Sequence, residues 1–108
     1  MVGAVAIDET LCMDVRNDET VALRLAALSH PRRIQILRYL SSVEHCCCKE
    51  VVGQLDLAQS TVSQHLKVLV EAGLVRFVTD KQRSRYEVDR PAVAELSRSI
   101  SRLLSDCC

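Results

Sequence analysis

Cysteines are the side chains of this 108-residue chain best suited to chemistry, and three of the six stand in a row. Cys46, Cys47 and Cys48 offer a dense set of soft sulfur donors, which favours thiophilic ions over hard ones. As(III) or Sb(III) binds three sulfurs in a pyramid and so matches a cluster of this size. Zn(II) or Cd(II) would take a fourth ligand, which His45 or Cys12 could supply. The cluster predicts a site for a thiophilic metal or metalloid.

The other thiols lie near the two ends of the chain, at Cys12 and at Cys107-Cys108. Adjacent cysteines are poorly placed to bridge each other. The first 14 residues lack a basic region followed by an apolar stretch, so no signal peptide is expected and the cytoplasm is predicted. In that compartment many cysteines indicate metal binding or thiol chemistry rather than disulfides. The alternative, cysteines that pack as small hydrophobes, fits a lone cysteine better than three in succession.

A thiol enzyme is a competing class of function. Phosphatase and arsenate-reductase sites use Cys-x5-Arg, but Val52, Gly53 and Gln54 stand six positions after the three successive cysteines. No Cys-x-x-Cys redox motif occurs, and a short helical chain leaves little room for a substrate pocket. We therefore predict that the protein is not an enzyme.

The elements that position these residues follow from apolar periodicity, which first predicts an arm over residues 1–17 and then two helices. The first helix starts at Asn17-Asp18, both capping types, and places Val21, Leu25 and Leu28 on one face. The second spans Pro31 to Ser41, because proline is tolerated in a first helical turn. Its inward residues are expected to be Ile34, Leu37 and Leu40, with Arg32, Arg33 and Arg38 available to solvent.

Two further helices are predicted on either side of a tight turn. They run from about Cys47 to Leu55 and from about Gln59 to Ala72, and the turn is Asp56-Leu57-Ala58. Gly73 is well placed to end the second of them. Their buried sides are expected to be Val51, Val52 and Leu55, then Val62, Leu66, Leu69 and Val70.

A β-hairpin and a closing helix complete the chain. Val75 to Thr79 and Arg85 to Val88 are rich in β-formers and flank a charged connection that lacks glycine. Pro91 opens the last helix, which runs to about Ser105 with an apolar stripe of Val93, Leu96, Ile100, Leu103 and Leu104. The prediction is a mainly α fold with a small β-hairpin wing, in the order ααααββα. No apolar run approaches 18 residues, so no membrane span is expected.

Two short helices, a tight turn and a polar second helix match the helix-turn-helix, whose second helix enters the major groove. Amide, hydroxyl and basic side chains are the types that read base edges there. The chain has 14 basic and 14 acidic residues, yet residues 59–86 hold five bases and two acids. A basic hairpin would reach flanking phosphates or the minor groove, although a charged face can also be simply solvated. Predicted DNA contacts are Gln59, Ser60, Thr61, Ser63, Gln64, His65, Lys67, Lys81, Arg83 and Arg85; His30 and His65 are expected to be structural or close to DNA.

Two stretches, ALSHPRRIQIL at residues 27–37 and QSTVSQHLKVLVEAGLV at residues 59–75, resemble the ArsR/SmtB family of metal-responsive winged helix-turn-helix repressors. The resemblance implies a homodimer paired through its first and last helices, and it implies no other protein partner. It implies binding to an imperfect palindrome at an operator near the protein's own gene. Metal binding in that family lowers DNA affinity, so that detoxification genes are expressed.

The family's best-known inducer site opens the third helix with a Glu-Leu-Cys-Val-Cys-Asp-Leu pattern, where this chain has EHCCCKEV at residues 44–51. Alignment without gaps puts the family's two cysteines at Cys47 and Lys49, so the full pattern is absent. Cys46 and Cys48 restore Cys-x-Cys if the loop shifts by one residue. In some members an arm cysteine completes the partner's site, a role implied for Cys12. Others bind arsenic through a vicinal pair at the last helix, which makes Cys107 and Cys108 a rival site.

The predicted organisation is an arm (1–17), a DNA-binding and dimerisation domain (18–105) and a Cys-Cys tail (106–108). The predicted function is a repressor that releases its operator when cysteine thiolates bind As(III) or Sb(III). Two alternatives remain open on the same fold: a Cd(II)- or Zn(II)-responsive repressor, and a redox or sulfane-sulfur sensor that uses cysteine oxidation.

Overall fold

The computed structural model describes residues 9–43, 48–80 and 83–107, with side chains for 17–43, 50–79 and 84–107. Five helices and one antiparallel hairpin follow in the predicted order within these ranges. They are α1 Glu9–Ala27, α2 Pro31–Ser41, α3 Cys48–Leu55, α4 Gln59–Glu71, β1 Val75–Asp80, β2 Arg83–Val88 and α5 Arg90–Asp106. None of the helices in these ranges is long and apolar enough to cross a membrane.

The first helix starts earlier than its capping signals indicate. α1 begins at Glu9, so the prediction that residues 9–17 precede the first helix is wrong. Asn17 and Asp18 favour an N-terminus only where the chain enters from a non-helical segment, and here they lie within the helix. The amide of Asn17 instead donates to the hydroxyl of Ser99 on α5, 3.5 Å away.

The second helix has the predicted bounds, and its buried face differs from the prediction at Ile34. The Nδ1 atom of His30 accepts a hydrogen bond from the backbone N–H of Arg32 at 3.1 Å and so caps α2. Ile36 and Leu40 are fully buried, whereas Ile34 is 41% exposed. An α-helix turns by about 100° per residue, so side chains two positions apart point to nearly opposite sides. Ile34 and Ile36 therefore cannot both face the core, and the prediction for Ile34 is wrong.

The fourth helix ends in a Schellman motif. The backbone N–H of Gly73 donates to the carbonyl of Val70 at 2.9 Å, and that of Leu74 donates to the carbonyl of Leu69 at 3.1 Å. Gly73 has a φ of 81°, in the left-handed region that favours glycine. This confirms that Gly73 ends the helix and sends the chain into β1.

The hairpin is longer at its tip than predicted, with its register running from Val75↔Val88 to Asp80↔Arg83. Its base is tied to the last helix, because the N–H of Asp89 donates to the carbonyl of Leu74 at 2.9 Å. The Asp89 carboxylate then accepts from the N–H of Ala92 at 3.1 Å and caps α5. These contacts fix the hairpin beside the end of α4.

The hydrophobic core joins α2, α3, α4 and the base of the hairpin. Burial of these aliphatic side chains supplies most of the driving force that holds α4 in place. The side chains with the least exposure are Ile36, Leu40, Val51, Val62, Leu66, Leu69, Leu74 and Val75. By contrast, four leucines are exposed. They are Leu23 and Leu25 on α1, and Leu103 and Leu104, which belong to the predicted apolar stripe of α5.

Candidate nucleic-acid interface

The turn between α3 and α4 is tight and leaves the start of α4 open. The backbone N–H of Asp56 donates a hydrogen bond to the carbonyl of Val52 at 3.1 Å and ends α3. Asp56 has a φ of 53°, a conformation that aspartate tolerates better than most residues. Ala58 stands at the N-cap of α4 and provides no side-chain cap. The first N–H groups of α4 are therefore not covered by a capping side chain, which is the arrangement that suits an incoming phosphate.

Most side chains in the first three turns of α4 are either buried or exposed. Val62, Leu66 and Leu69 are fully buried. This anchors the helix by one face and leaves amide, hydroxyl and ammonium groups on the other. The exposed residues of the first three turns are Gln59, Ser60, Thr61, Ser63, Gln64 and Lys67. These types suit base edges and phosphate oxygens.

The hairpin contributes less positive charge than its composition suggests. The guanidinium of Arg76 pairs with the Glu87 carboxylate across the strands at 2.8 Å, which offsets one of its bases. Arg85 lies half-buried on β2. Lys81 and the side chain of Arg83 lie outside the described residues, so their predicted DNA contacts remain predictions.

His65 is half-buried, unlike the exposed predicted DNA contacts of α4. Its Nδ1 atom accepts a hydrogen bond from Nε of Arg33 at 3.3 Å. Its ring centroid lies 4.6 Å from that of His30. Burial lowers the pKa of His65 below its ordinary value of 6.5, and the charges of His30, Arg33 and Arg32 lower it further.

A second arginine holds the other end of α4. Arg24 of α1 donates from Nε to the carbonyl of Ala72 at 3.2 Å and lies 3.8 Å from the Glu95 carboxylate of α5. Sequence reasoning missed both arginine contacts, because the partners are 32 and 48 residues apart in the chain. No local pattern encodes such pairs.

The predicted metal site lies mainly outside the described residues. That holds for Cys46 and Cys47 altogether, and for the side chains of Cys12 in α1 and Cys48 at the start of α3. Cys107 is exposed at the C-cap of α5, while Cys108 is not described. Among the residues whose side chains the structure describes, no three His, Cys, Asp or Glu groups are arranged to hold a metal ion.

Comparison with known proteins identifies related sequences. The model of the bacterial regulatory protein arsR family matches residues 30–76, which span α2 to the start of β1. A "probable mercury resistance operon repressor" of Streptomyces lividans is 31% identical over the whole of this chain and 88% of its own length. An arsenical resistance operon repressor of Staphylococcus xylosus is 29% identical over 70% of this chain and 72% of its own. These relatives are transcriptional regulators, a class that is not enzymatic.

Solved structures show the same fold. An ArsR-like regulator from Rhodococcus sp. RHA1 superposes with a TM-score of 0.75 at 23% identity, covering 83% of this chain and 84% of that one. The homodimeric winged helix-turn-helix DNA-binding domain from Mycobacterium bovis, solved by NMR, gives a TM-score of 0.68 at 21% identity. It covers 93% of this chain and 87% of its own. The predicted winged helix-turn-helix fold is thereby confirmed.

Proposed function

Because this chain belongs to the ArsR family of bacterial transcriptional regulators, we propose that it is a homodimeric repressor that releases its operator when cysteine thiolates bind As(III) or Sb(III). The observation that carries the DNA step is the division of α4, which is anchored by three buried aliphatic residues and exposes a face of groups able to read bases. We call α4 the recognition helix from here on.

DNA contact is assigned to the recognition helix and the hairpin. Gln59, Ser60, Thr61, Ser63, Gln64 and Lys67 would meet base edges and phosphates in the major groove. Arg85, with Lys81 and Arg83 at the hairpin tip, would reach flanking phosphates. The backbone N–H groups at the uncapped start of the recognition helix would add a phosphate contact.

Homodimerisation is supported by apolar residues that the single chain leaves exposed. Leu23 and Leu25 on α1 and Leu103 and Leu104 on α5 are exposed to solvent. The two helices touch, since Asn17 contacts Ser99 and Arg24 contacts Glu95. Exposed apolar side chains on adjoining helices are typical of a protein interface. Pairing of two such surfaces would present two recognition helices to the two halves of a palindrome.

The inducer site is proposed at the start of α3. This helix begins at Cys48, so Cys46, Cys47 and Cys48 lead into a helix N-terminus, where the positive end of the dipole favours the thiolate form that ligates. Three thiolates fit a trivalent metalloid, and Cys12 of the partner subunit would supply the further ligand that Cd(II) or Zn(II) takes. The terminal Cys107 and Cys108 form the rival site.

Release of DNA requires a large coupling free energy between the inducer site and the DNA-binding surface. Successive major-groove half-sites lie roughly 34–36 Å apart, and ligation that changes the separation of the recognition helices would disfavour that spacing. Typical coupling between linked sites is about 1–3 kcal/mol, while switching an operator from occupied to free takes about 5.5 kcal/mol. A ligand that bridges both subunits is the arrangement best able to reach the larger value.

The test is fluorescence anisotropy of the promoter DNA upstream of the gene, with reduced protein bound and arsenite then added. Up to one equivalent of arsenite per site should reverse binding. Replacing Cys46, Cys47 and Cys48 together with serine should abolish release while DNA binding persists, and Cys12→Ser should weaken release. The matched control is the Cys107→Ser, Cys108→Ser double variant, which should behave as wild type.

Three outcomes would redirect the proposal. Loss of release in the terminal double variant alone would move the site to the rival cysteines. Release by Cd(II) or Zn(II) but not by arsenite would change the inducer. Release by oxidants or persulfides, with no metalloid bound, would replace metal sensing with thiol oxidation.

A further inference from the structure

Arg33 joins three helices at the middle of the recognition helix. Its Nε donates to Nδ1 of His65 at 3.3 Å, and its NH1 donates to the carbonyl of Ala27, the last residue of α1, at 3.5 Å. Both contacts are partly buried, and Arg33 itself belongs to α2. Arg33 therefore links the middle of the recognition helix to the end of α1.

The direction of this hydrogen bond fixes the state of the His65 ring. A guanidinium has donors and no acceptor, so His65 must accept at Nδ1 and carry its ring proton on Nε2. A doubly protonated imidazolium has no lone pair at Nδ1 and cannot accept. The bond between Arg33 and His65 therefore exists only while His65 is neutral.

The surroundings of His65 favour that neutral state. The ring of His30, the N-cap residue of α2, lies 4.6 Å away, and the guanidinium groups of Arg32 and Arg33 in the first turn of α2 also face His65. On the recognition helix itself its neighbours one turn away are Thr61 and Leu69, which carry no charge. A proton added to His65 would place a second cation directly against the Arg33 guanidinium.

We propose that Arg33 is a positioning residue that orients the recognition helix through neutral His65, and that acid weakens sequence-specific DNA binding by breaking this contact. The inference rests on the proposed function, since it assumes that α4 reads DNA. It assigns to His65 a role in holding the helix rather than in reading a base. Thr61, Ser63 and Gln64, which flank His65 on the exposed side, would move out of register when the contact is lost.

The experiment compares wild type with His65→Gln, whose amide oxygen can accept from Arg33 but does not titrate. The ratio of affinity for promoter DNA to affinity for random duplex is measured from about pH 7.5 to about pH 5.5, a range that brackets the ordinary histidine pKa. The wild-type ratio should fall by about three- to tenfold, the effect of one lost hydrogen bond. The ratio for His65→Gln should fall less than the wild-type ratio. The use of a ratio removes the nonspecific gain in phosphate affinity that any added positive charge brings.

An NMR measurement tests the contact without DNA. Long-range ¹H–¹⁵N spectra should show His65 with its proton on Nε2, and Arg33→Ala should raise the pKa of His65 because a cation is removed. Arg38→Ala, which changes an exposed base on the same helix, should leave that pKa unchanged. An Nδ1-protonated ring, or a pKa indifferent to Arg33, would overturn the inference.

The DNA results separate the two proposals. Equal pH dependence in wild type and His65→Gln, with specific binding intact at neutral pH, would refute the positioning role and leave the repressor standing. Failure of every variant to prefer promoter DNA at neutral pH would refute both the repressor and the proposed effect of acid on DNA binding. The NMR measurement of the His65 tautomer would then still test the contact between Arg33 and His65.

Discussion

Nε of Arg24 donates to the carbonyl oxygen of Ala72, 3.2 Å away at the C-cap of the recognition helix. The same guanidinium lies 3.8 Å from the carboxylate of Glu95 on α5. One largely buried side chain thus connects the two helices proposed to form the dimer with the end of the helix proposed to read DNA. A change in how α1 and α5 pair would reach the recognition helix through this contact.

Replacing Arg24 with methionine should destabilise the protein. The variant keeps an apolar stem but removes the donor from the Ala72 carbonyl, and loss of a charged donor from a partly buried acceptor costs about 1–3 kcal/mol. Urea unfolding followed by circular dichroism, at one fixed protein concentration, measures the free energy of unfolding. Arg38→Met, at an exposed position of α2, is the control and should change it little; equal losses in the two variants would contradict the role of Arg24.

Two glycines should respond to alanine in opposite directions. Gly73→Ala forces a Cβ into a left-handed conformation, with the Arg24 guanidinium 3.4 Å from that Cβ, so a loss of about 1–2 kcal/mol is expected. Gly53→Ala on α3 meets nothing within 4 Å and should stabilise by about 0.5–1 kcal/mol. Thermal unfolding of both variants in the same buffer checks the pair. A Gly73→Ala variant as stable as wild type would show that a side chain does not strain the end of the recognition helix.

The sequence predicted elements that depend on local signals. Pro31 and the apolar spacing after it determine α2, and Gly73 determines the end of α4, because a proline and a left-handed glycine act on their own backbone. The predicted start of α1 was wrong. Asn17 and Asp18 are residue types that favour an N-cap, but the chain before them is already helical. The choice of Ile36 over Ile34 for the core was missed because both fit a helical period and only packing decides between them.

The site was predicted in part for the same reason. The exposed face of the recognition helix follows from its own periodicity, which sequence reveals. The contacts of Arg33 with His65 and of Arg24 with Ala72 arise when helices distant in the chain come together, so neither the residue types nor their spacing indicates them. The cysteines that would ligate an inducer were identified by their type, their succession in the chain and the family's pattern, and their grouping into one site stays a prediction.

The exposed leucines of α1 and α5 should be required for dimerisation. Leu23→Glu and Leu103→Glu each place a charge where two apolar surfaces would meet, and an unpaired charge buried in an interface is costly. Sedimentation velocity should show a shift from dimer to monomer in both variants. Phe77→Glu, which alters an equally exposed apolar residue on the hairpin, should remain dimeric. A dimeric Leu103→Glu variant would exclude pairing through α5.

Stability should fall on acidification through His65. Because its pKa in the folded protein is lowered from 6.5 by burial and then by the charges of His30, Arg33 and Arg32, the unfolded chain takes up the proton at a higher pH than the folded chain. The contribution of His65 is therefore complete above about pH 6.5 and is lost as the pH falls below it. The urea midpoint should fall more between neutral and acid pH in wild type than in His65→Gln, and an equal fall in the two proteins would contradict this argument.

The most direct test of the account is the affinity of the reduced protein for the promoter upstream of its gene, measured by anisotropy at physiological salt with random duplex as competitor. Specific binding with a dissociation constant on the order of 10⁻⁸ M or tighter is expected, as for other specific DNA-binding proteins. Gln64→Ala in the recognition helix should reduce that affinity by about 1–3 kcal/mol, while Arg38→Ala should not. Binding that fails to discriminate promoter from random DNA, or that is indifferent to Gln64, would contradict the claim that α4 reads the operator.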